Sequence, residues 1–469
     1  MPRLILCFLF FTAVVQAPFL EAQPFIGARP VPAISSAGIL DGYIRLGLDS
    51  NLALHQRSFD LQKARLDLQR AQALFYPQAG FSSQYTVANG GRSQSIPVGD
   101  LLNNVYSTLN QLTGSNKFPQ VANQSIQFLP NDYHDTKMEI SLPIINIDLQ
   151  HNRQVNSELI NTRQADLDIY RRELVQKIRQ AYYQYLQAGK AVAIYNNALG
   201  LAKENRRVSE KFVENRMATK EIVLRAQAQV SQVGSALIEA KNNLQNAIAY
   251  FNFLLNRSLD TAIITDESLM EGTVTTDPLP DQHPSPGLPA GREELTRLGS
   301  YQKIVRSNLQ YSRSYLVPKL NAFYDIGFQG FGFHFDGNQF YQLAGLQLQW
   351  TLFKGGENKY KIRQAQIDIS AFGDQYRDLS QQLTLQARTS TNDYYSAVEA
   401  LQSLSDEVSS ARETYRLAER RFNEGQALQI ELVDARTQMT SAELRYSLGR
   451  LNVLNRAADL ERVMANYKF

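Results

Sequence analysis

The residues that could carry chemistry in this chain of 469 residues are few and scattered. Its histidines are His55, His134, His151, His283 and His334, and no two lie four apart on one helix, so the zinc spacing is absent. The one cysteine, Cys7, sits near the start and cannot join them. No nucleophile elbow or Ser-His-Asp arrangement is visible. Gly327-Phe-Gln-Gly330-Phe-Gly332 has glycines at phosphate-loop spacing. It lacks the Gly-Lys-Ser/Thr ending and no helix pattern follows, so it reads as a hairpin tip. Tyr182-Tyr183 and Tyr394-Tyr395 could stack on a ligand, but as paired positions along two helices they fit packing better. These absences predict no metal, no cofactor and no enzyme. Carboxylates are plentiful, and Glu431 and Asp434, three apart and therefore on one helix face, with Glu221 in a similar setting upstream, are not distinguished by type or spacing alone. Singly, such carboxylates face water. Gathered in several copies, they repel one another, attract cations and resist ionising together.

The stretch that positions them is Arg421 to Tyr446. Phe422 closes one apolar stripe, Asn423-Glu424-Gly425 makes a turn, and Leu432, Ala435, Met439, Ala442 and Tyr446 open the next at helical spacing. Gly425 suits the left-handed residue that ends a helix. The text recurs: Phe212, Glu214, Glu221 and Val223 align with Phe422, Glu424, Glu431 and Val433 without a gap, and Asn215 stands for Gly425. The chain therefore reads as two copies of one unit offset by roughly 210 residues, too long for a solenoid repeat.

Residues 1–22 have the form of a secretory signal: Arg3, an apolar run from Leu4 to Val15, and Val15-Gln16-Ala17 or Leu20-Glu21-Ala22 as the cleavage site. That run is too short to span a bilayer as a helix. Removing it removes Cys7 and with it any disulfide. The mean hydropathy is negative and the formal charge is +3, which does not argue for nucleic acid. No proline falls between Pro143 and Pro278 or after Pro318, so long helices are permitted there. Both tracts carry heptads: Ala181, Tyr185, Ala188, Val192, Tyr195, Leu199 and Ala202 in the first, and Val408, Ala411, Tyr415, Ala418 and Phe422 in the second. A period of 3.5 implies left-handed supercoiling against neighbours. Helices are expected over 149–213, 219–255, 358–422 and 428–464, with shorter ones over 41–74 and 292–315.

Outside the helices, alternation predicts strands at 78–88, 136–142, 319–328 and 339–351. Ala79, Phe81, Tyr85 and Val87 oppose Gln78, Ser82, Gln84 and Thr86; Met138, Ile140 and Leu142 oppose Lys137, Glu139 and Ser141. Leu320, Ala322, Tyr324, Ile326 and Phe328 oppose Lys319, Asn321 and Asp325; Ala344, Leu346, Leu348 and Trp350 oppose Gln347, Gln349 and Thr351. Lengths near ten residues with aromatic ends suit membrane strands. The first pair is joined by a loop over 89–133, the second near Asp336-Gly337. Four strands cannot close, and an open edge in lipid leaves backbone groups unpaired. Two copies would make a plugged barrel of eight strands, whereas three make twelve strands around an open lumen. The helices are too polar for the bilayer and are expected to form a hollow cylinder continuous with the barrel.

At this point the sequence resembles the TolC-like outer-membrane efflux family. The match runs from Phe422-Asn-Glu-Gly425 through Glu431-Leu-Val-Asp434-Ala435. Tyr76-Pro77 and Val317-Pro318 before strands, Trp350-Thr-Leu-Phe353-Lys-Gly-Gly356 after the last strand, and the duplication also match. The resemblance implies a homotrimeric conduit in the outer membrane with its helices in the periplasm. Such a conduit carries toxic small molecules or polypeptides, served by a periplasmic adaptor and an inner-membrane transporter. It implies that Glu431 and Asp434 line a cation-sensitive constriction, with Glu221 at the other tip. The turn residues Asn215, Arg216, Asn423, Glu424, Gly425 and Gln426 would dock the adaptor. The family's basic residue two past the glycine is Ala427 here, which moves any lock between the tips to Arg216 or Lys220. A competing reading is a periplasmic coiled-coil adaptor or scaffold without a pore.

The expected fold is thus mainly α with a membrane β-barrel portion, internally duplicated. Residues 1–22 are the signal, 23–255 the first repeat, 256–291 a linker and 292–469 the second repeat.

Overall fold

A computed structural model describes residues 38–266, 269, 287, 291–465 and 467. The expected signal segment and much of the expected linker lie outside the described residues.

The chain runs as α1 (Ile39–Ser50), α2 (Leu52–Ala73), β1 (Gln78–Thr86), β2 (Ser93–Ile96), α3 (Val98–Thr113), β3 (Gln124–Gln127) and β4 (Tyr133–Ile145). Then come α4 (Ile147–Glu214), α5 (Lys220–Leu254), α6 (Glu293–Arg313), β5 (Lys319–Phe331), β6 (Phe340–Gln349), α7 (Glu357–Asn423) and α8 (Gln429–Met464). The four long helices fall within two residues of their expected ends. At 68 and 67 residues, α4 and α7 are each about 100 Å long at 1.5 Å per residue. Among the described residues, no helix is long and apolar enough to cross a membrane.

Three expectations change. The helix over 41–74 is two helices, because Asn51 leaves the helical conformation and caps α2 by accepting from the Leu54 N–H at 3.0 Å. Its amide also donates to the Leu254 carbonyl at 3.0 Å, so the break is tied to the core. The strands predicted at 136–142 and 319–328 extend to Tyr133–Ile145 and Lys319–Phe331. The loop over 89–133 contains structure: a two-stranded sheet of β2 and β3 and the helix α3. Asparagine side chains hold α3 to the returning chain. Asn103 bonds both the N–H and the carbonyl of Val121, and Asn110 does the same for Phe118.

The sheet is antiparallel in the order β1-β4-β5-β6. Its register pairs Phe81 with Met138, Met138 with Ile326 and Ala322 with Leu346, so the apolar rows of all four strands share one face. That face is bare: Phe81 is 73%, Leu346 67% and Leu348 60% exposed. Each junction from strand to helix is sharp. Asn146 caps α4 through Asp148 and Leu149. Gly355 and Gly356, with φ of 57° and 80°, turn the chain from β6 into α7.

The main core lies where α1, α4, α5 and α8 meet. Tyr43, Tyr182 and Phe251 stack edge-on or tilted at 5.0 to 5.9 Å between ring centres. The segment after α5 is pinned here by two phenols: Tyr43 accepts from the Ile264 N–H, and Tyr182 accepts from the Asp266 N–H while donating to the Ile264 carbonyl. Gly47 lets α1 approach, since a Cβ there would lie 2.3 Å from Ile178 Cδ1.

Candidate functional site

The far end of the helices is built from two hairpin tips, α4 to α5 and α7 to α8. At the second, Gly425 takes φ 72°, its N–H bonds the Phe422 carbonyl, and the Gln426 N–H bonds the Arg421 carbonyl at 2.8 Å. This pair of bonds satisfies the last carbonyls of α7. The first tip makes the same two bonds, Arg216 to Val213 and Met217 to Phe212. The left-handed residue there is Arg216 at φ 57°, not Asn215, which remains at φ −83° as the cap. The two turns are therefore displaced by one residue relative to the aligned text. The tips touch through Phe212 and Phe422, 5.8 Å apart and edge-on. Tyr415, Leu432 and Ala435 are buried around this contact, with Val208, Ala418, Ala427 and Met439 packed on it. Asn215, Arg216, Asn423, Glu424, Gly425 and Gln426 are all exposed.

Glu431 and Asp434 lie on the first turns of α8, both exposed. Glu431 has local partners. Its Oε1 accepts from the Leu428 N–H at 3.3 Å, satisfying a donor at the helix start, and its Oε2 lies 3.7 Å from Arg421. Asp434 has no ion-pair or hydrogen-bond partner among the described residues. Glu221, at the start of α5, pairs with Arg225 at 2.6 Å. No described contact joins Glu221 to Glu431 or Asp434.

Links between the two hairpins do not use Arg216 or Lys220, neither of which is paired among the described residues. They use Gln429, which donates to Ser209 Oγ at 2.5 Å, and Arg436, which donates to the Leu201 carbonyl at 2.7 Å. Arg436 is 7% exposed. It also donates to the Tyr415 hydroxyl at 3.2 Å, and that hydroxyl donates to Glu419 at 2.6 Å. Burial, helped by the Glu419 acceptor, holds the Tyr415 phenol above its ordinary value. Sequence reasoning missed this network. Its only signal is an arginine beside Ala435 in an otherwise apolar seam, and the pattern gives no partner for it.

Residues 294–466 match the family described as Outer membrane efflux protein. No curated protein matches the chain. Three solved structures share the fold over almost all of it. The CmeC outer membrane channel of Campylobacter jejuni gives a TM-score of 0.70 at 14% identity, covering 91% of this chain and 85% of that one. The outer membrane protein VceC of Vibrio cholerae gives 0.69 at 14%, covering 91% and 95%. The open state of the MtrE outer membrane channel of Neisseria gonorrhoeae gives 0.70 at 15%, covering 94% of both chains. The class is thereby defined: the fold is that of outer-membrane channels, mainly α with a four-stranded barrel portion. The match to the outer membrane efflux protein family lies within the second half of the chain, over residues 294–466. The resemblance expected from the sequence is borne out.

Proposed function

We propose that this protein is the outer-membrane exit duct of a tripartite efflux or type I secretion system. Three copies close a barrel of twelve strands, continuous with a periplasmic cylinder of helices. The observation that carries this reading is the sheet itself. Both its edges, β1 and β6, are unpaired among the described residues, and its outer face is apolar and bare. In lipid, such a sheet is tolerated only when further copies complete it. The tip turns, exposed at the end of helices about 100 Å long, suit docking of a periplasmic adaptor. The adaptor in turn would couple the duct to an inner-membrane transporter. Small toxic compounds and polypeptides are both compatible cargo for such a duct.

Within this reading Asp434 and Glu431 form the gate, and Glu221 marks the other tip. Their local surroundings differ: among the described residues Asp434 has no partner, whereas Glu431 also caps α8. The test is single-channel recording of the purified mature protein in a planar bilayer. The native protein is expected to give stepwise, cation-preferring conductance. Asp434→Asn should change it most, and Glu431→Gln less. Conductance indifferent to both changes would leave the duct and remove the gate. Folded protein that never inserts would favour an adaptor or scaffold.

A further inference from the structure

Away from the tips, the inward face of the sheet holds a second set of charges. The register places Glu139 between Gly80 and Asp325, and Lys137 between Ser82 and Gly327, all on the face opposite the apolar rows. Lys137 crosses diagonally to Asp325, with Nζ 2.9 Å from Oδ2, and lies 3.8 Å from Glu139. Asp135 is two residues along on the same face and accepts from the Tyr341 hydroxyl at 3.1 Å. The position opposite Lys137 must be glycine. A Cβ on Gly327 would lie 2.8 Å from Lys137 Cβ and 2.3 Å from the Thr136 carbonyl oxygen. Asp325 is only 5% exposed, yet its Oδ1 has no hydrogen-bond partner. It borders a cavity of about 490 Å³ shared with Glu139, Ser141, Asn321 and Gln347.

We infer that this group is a charge filter in the barrel wall, separate from the tip gate, and that Lys137 sets its strength. The inference rests on the reading of the sheet as a channel wall. Each copy contributes three carboxylates against one ammonium, an excess of negative charge that favours permeant monovalent cations. The Asp325 oxygen left without a partner is an acceptor that Lys137 does not use. Rings of like charge on a pore wall select ions by sign, because the wall raises the local concentration of the opposite sign. Lys137 is the one ammonium in this group, flanked on its face by Ser82, Gly327, Asp135 and Glu139. Held at Asp325, it cancels part of the excess and keeps the lumen from becoming a strong cation trap.

The experiment is the reversal potential of single channels across a potassium chloride gradient, comparing the native protein with Lys137→Gln, Lys137→Arg, Glu139→Gln and Asp325→Asn. Lys137→Gln should raise the cation-to-anion permeability ratio by roughly twofold or more near 0.1 M salt, where charges act over about 10 Å. Lys137→Arg should keep the native ratio, and Glu139→Gln and Asp325→Asn should lower it. The differences should fade near 1 M salt, where that reach falls to about 3 Å. Should buried Asp325→Asn fail to assemble, Glu139→Gln, whose side chain is half exposed, still tests the filter. Channels that conduct with one unchanged ratio in every variant would overturn the filter and leave a structural cross-strand ion pair. Absence of conductance from every form, native included, would overturn the duct reading instead.

Discussion

Gly425 and Arg216 hold the same left-handed backbone with opposite consequences. For glycine the conformation carries no steric cost, whereas a residue with a Cβ is strained by roughly 1–2 kcal/mol. Gly425→Ala should therefore destabilise the second tip by about 1 kcal/mol. Arg216→Gly should stabilise the first by up to about 1 kcal/mol, the gain being reduced by the greater freedom of glycine in the unfolded chain. Melting of the two variants in detergent, read against the native protein, should separate them in sign. At this scale the sequence was legible where a residue type has one use, as for Gly425. It was misleading where alignment by type was trusted to a single position. Asn215 is the better left-handed residue, but α4 continues through Glu214 and leaves that conformation to Arg216. Glu431 shows a related limit. Its spacing from Asp434 was readable, while its bond to the Leu428 N–H depends on how the turn enters α8.

The elements were readable because their periods are strict and sustained. Heptads without proline gave the long helices, and alternation over about ten residues gave the strands. The break at Asn51 was hidden because the apolar pattern continues across it and only a tertiary bond to Leu254 makes the interruption favourable. The helix α3 was hidden by its surroundings of glycine, proline and asparagine, although Val98, Leu102, Val105, Leu109 and Leu112 follow helical spacing. Where elements join, buried charge does part of the fastening. Arg292, 3% exposed, bonds the Val463 carbonyl at 3.0 Å and both oxygens of Glu294, linking the start of α6 to the end of α8. Burial would raise the Glu294 carboxyl, but the Arg292 bonds outweigh it and hold it below its ordinary value. A depressed folded value means that this contribution is present above the ordinary carboxylate range and is lost as pH falls through the lowered value. Glu294→Gln should cost about 3 kcal/mol at neutral pH by removing the charge opposite a buried guanidinium. It should also flatten the acid limb of a stability-versus-pH curve followed by circular dichroism.

At the scale of the whole molecule, the two faces of the sheet make unlike demands. Leu346 lies on the apolar face and Gln347 on the inward one. An arginine among lipid chains costs roughly 2–4 kcal/mol, and three copies multiply it. Leu346→Arg should therefore abolish insertion into liposomes, while Gln347→Arg should insert and alter conductance. Equal insertion by both would mean that the apolar face does not meet lipid.

The one-residue displacement between the tips bears on symmetry. One residue of helix is a rotation of about 100°, so the two turns present their side chains in different directions although their backbones follow one plan. Three copies in a ring would bring six hairpins to the far end. An outline read at low detail would be sixfold, but the surface offered to a partner would alternate between a tip with arginine at its bend and a tip with glycine. A partner built of six identical subunits could follow that surface only by adopting two local arrangements, and a strictly threefold partner could fit it with one.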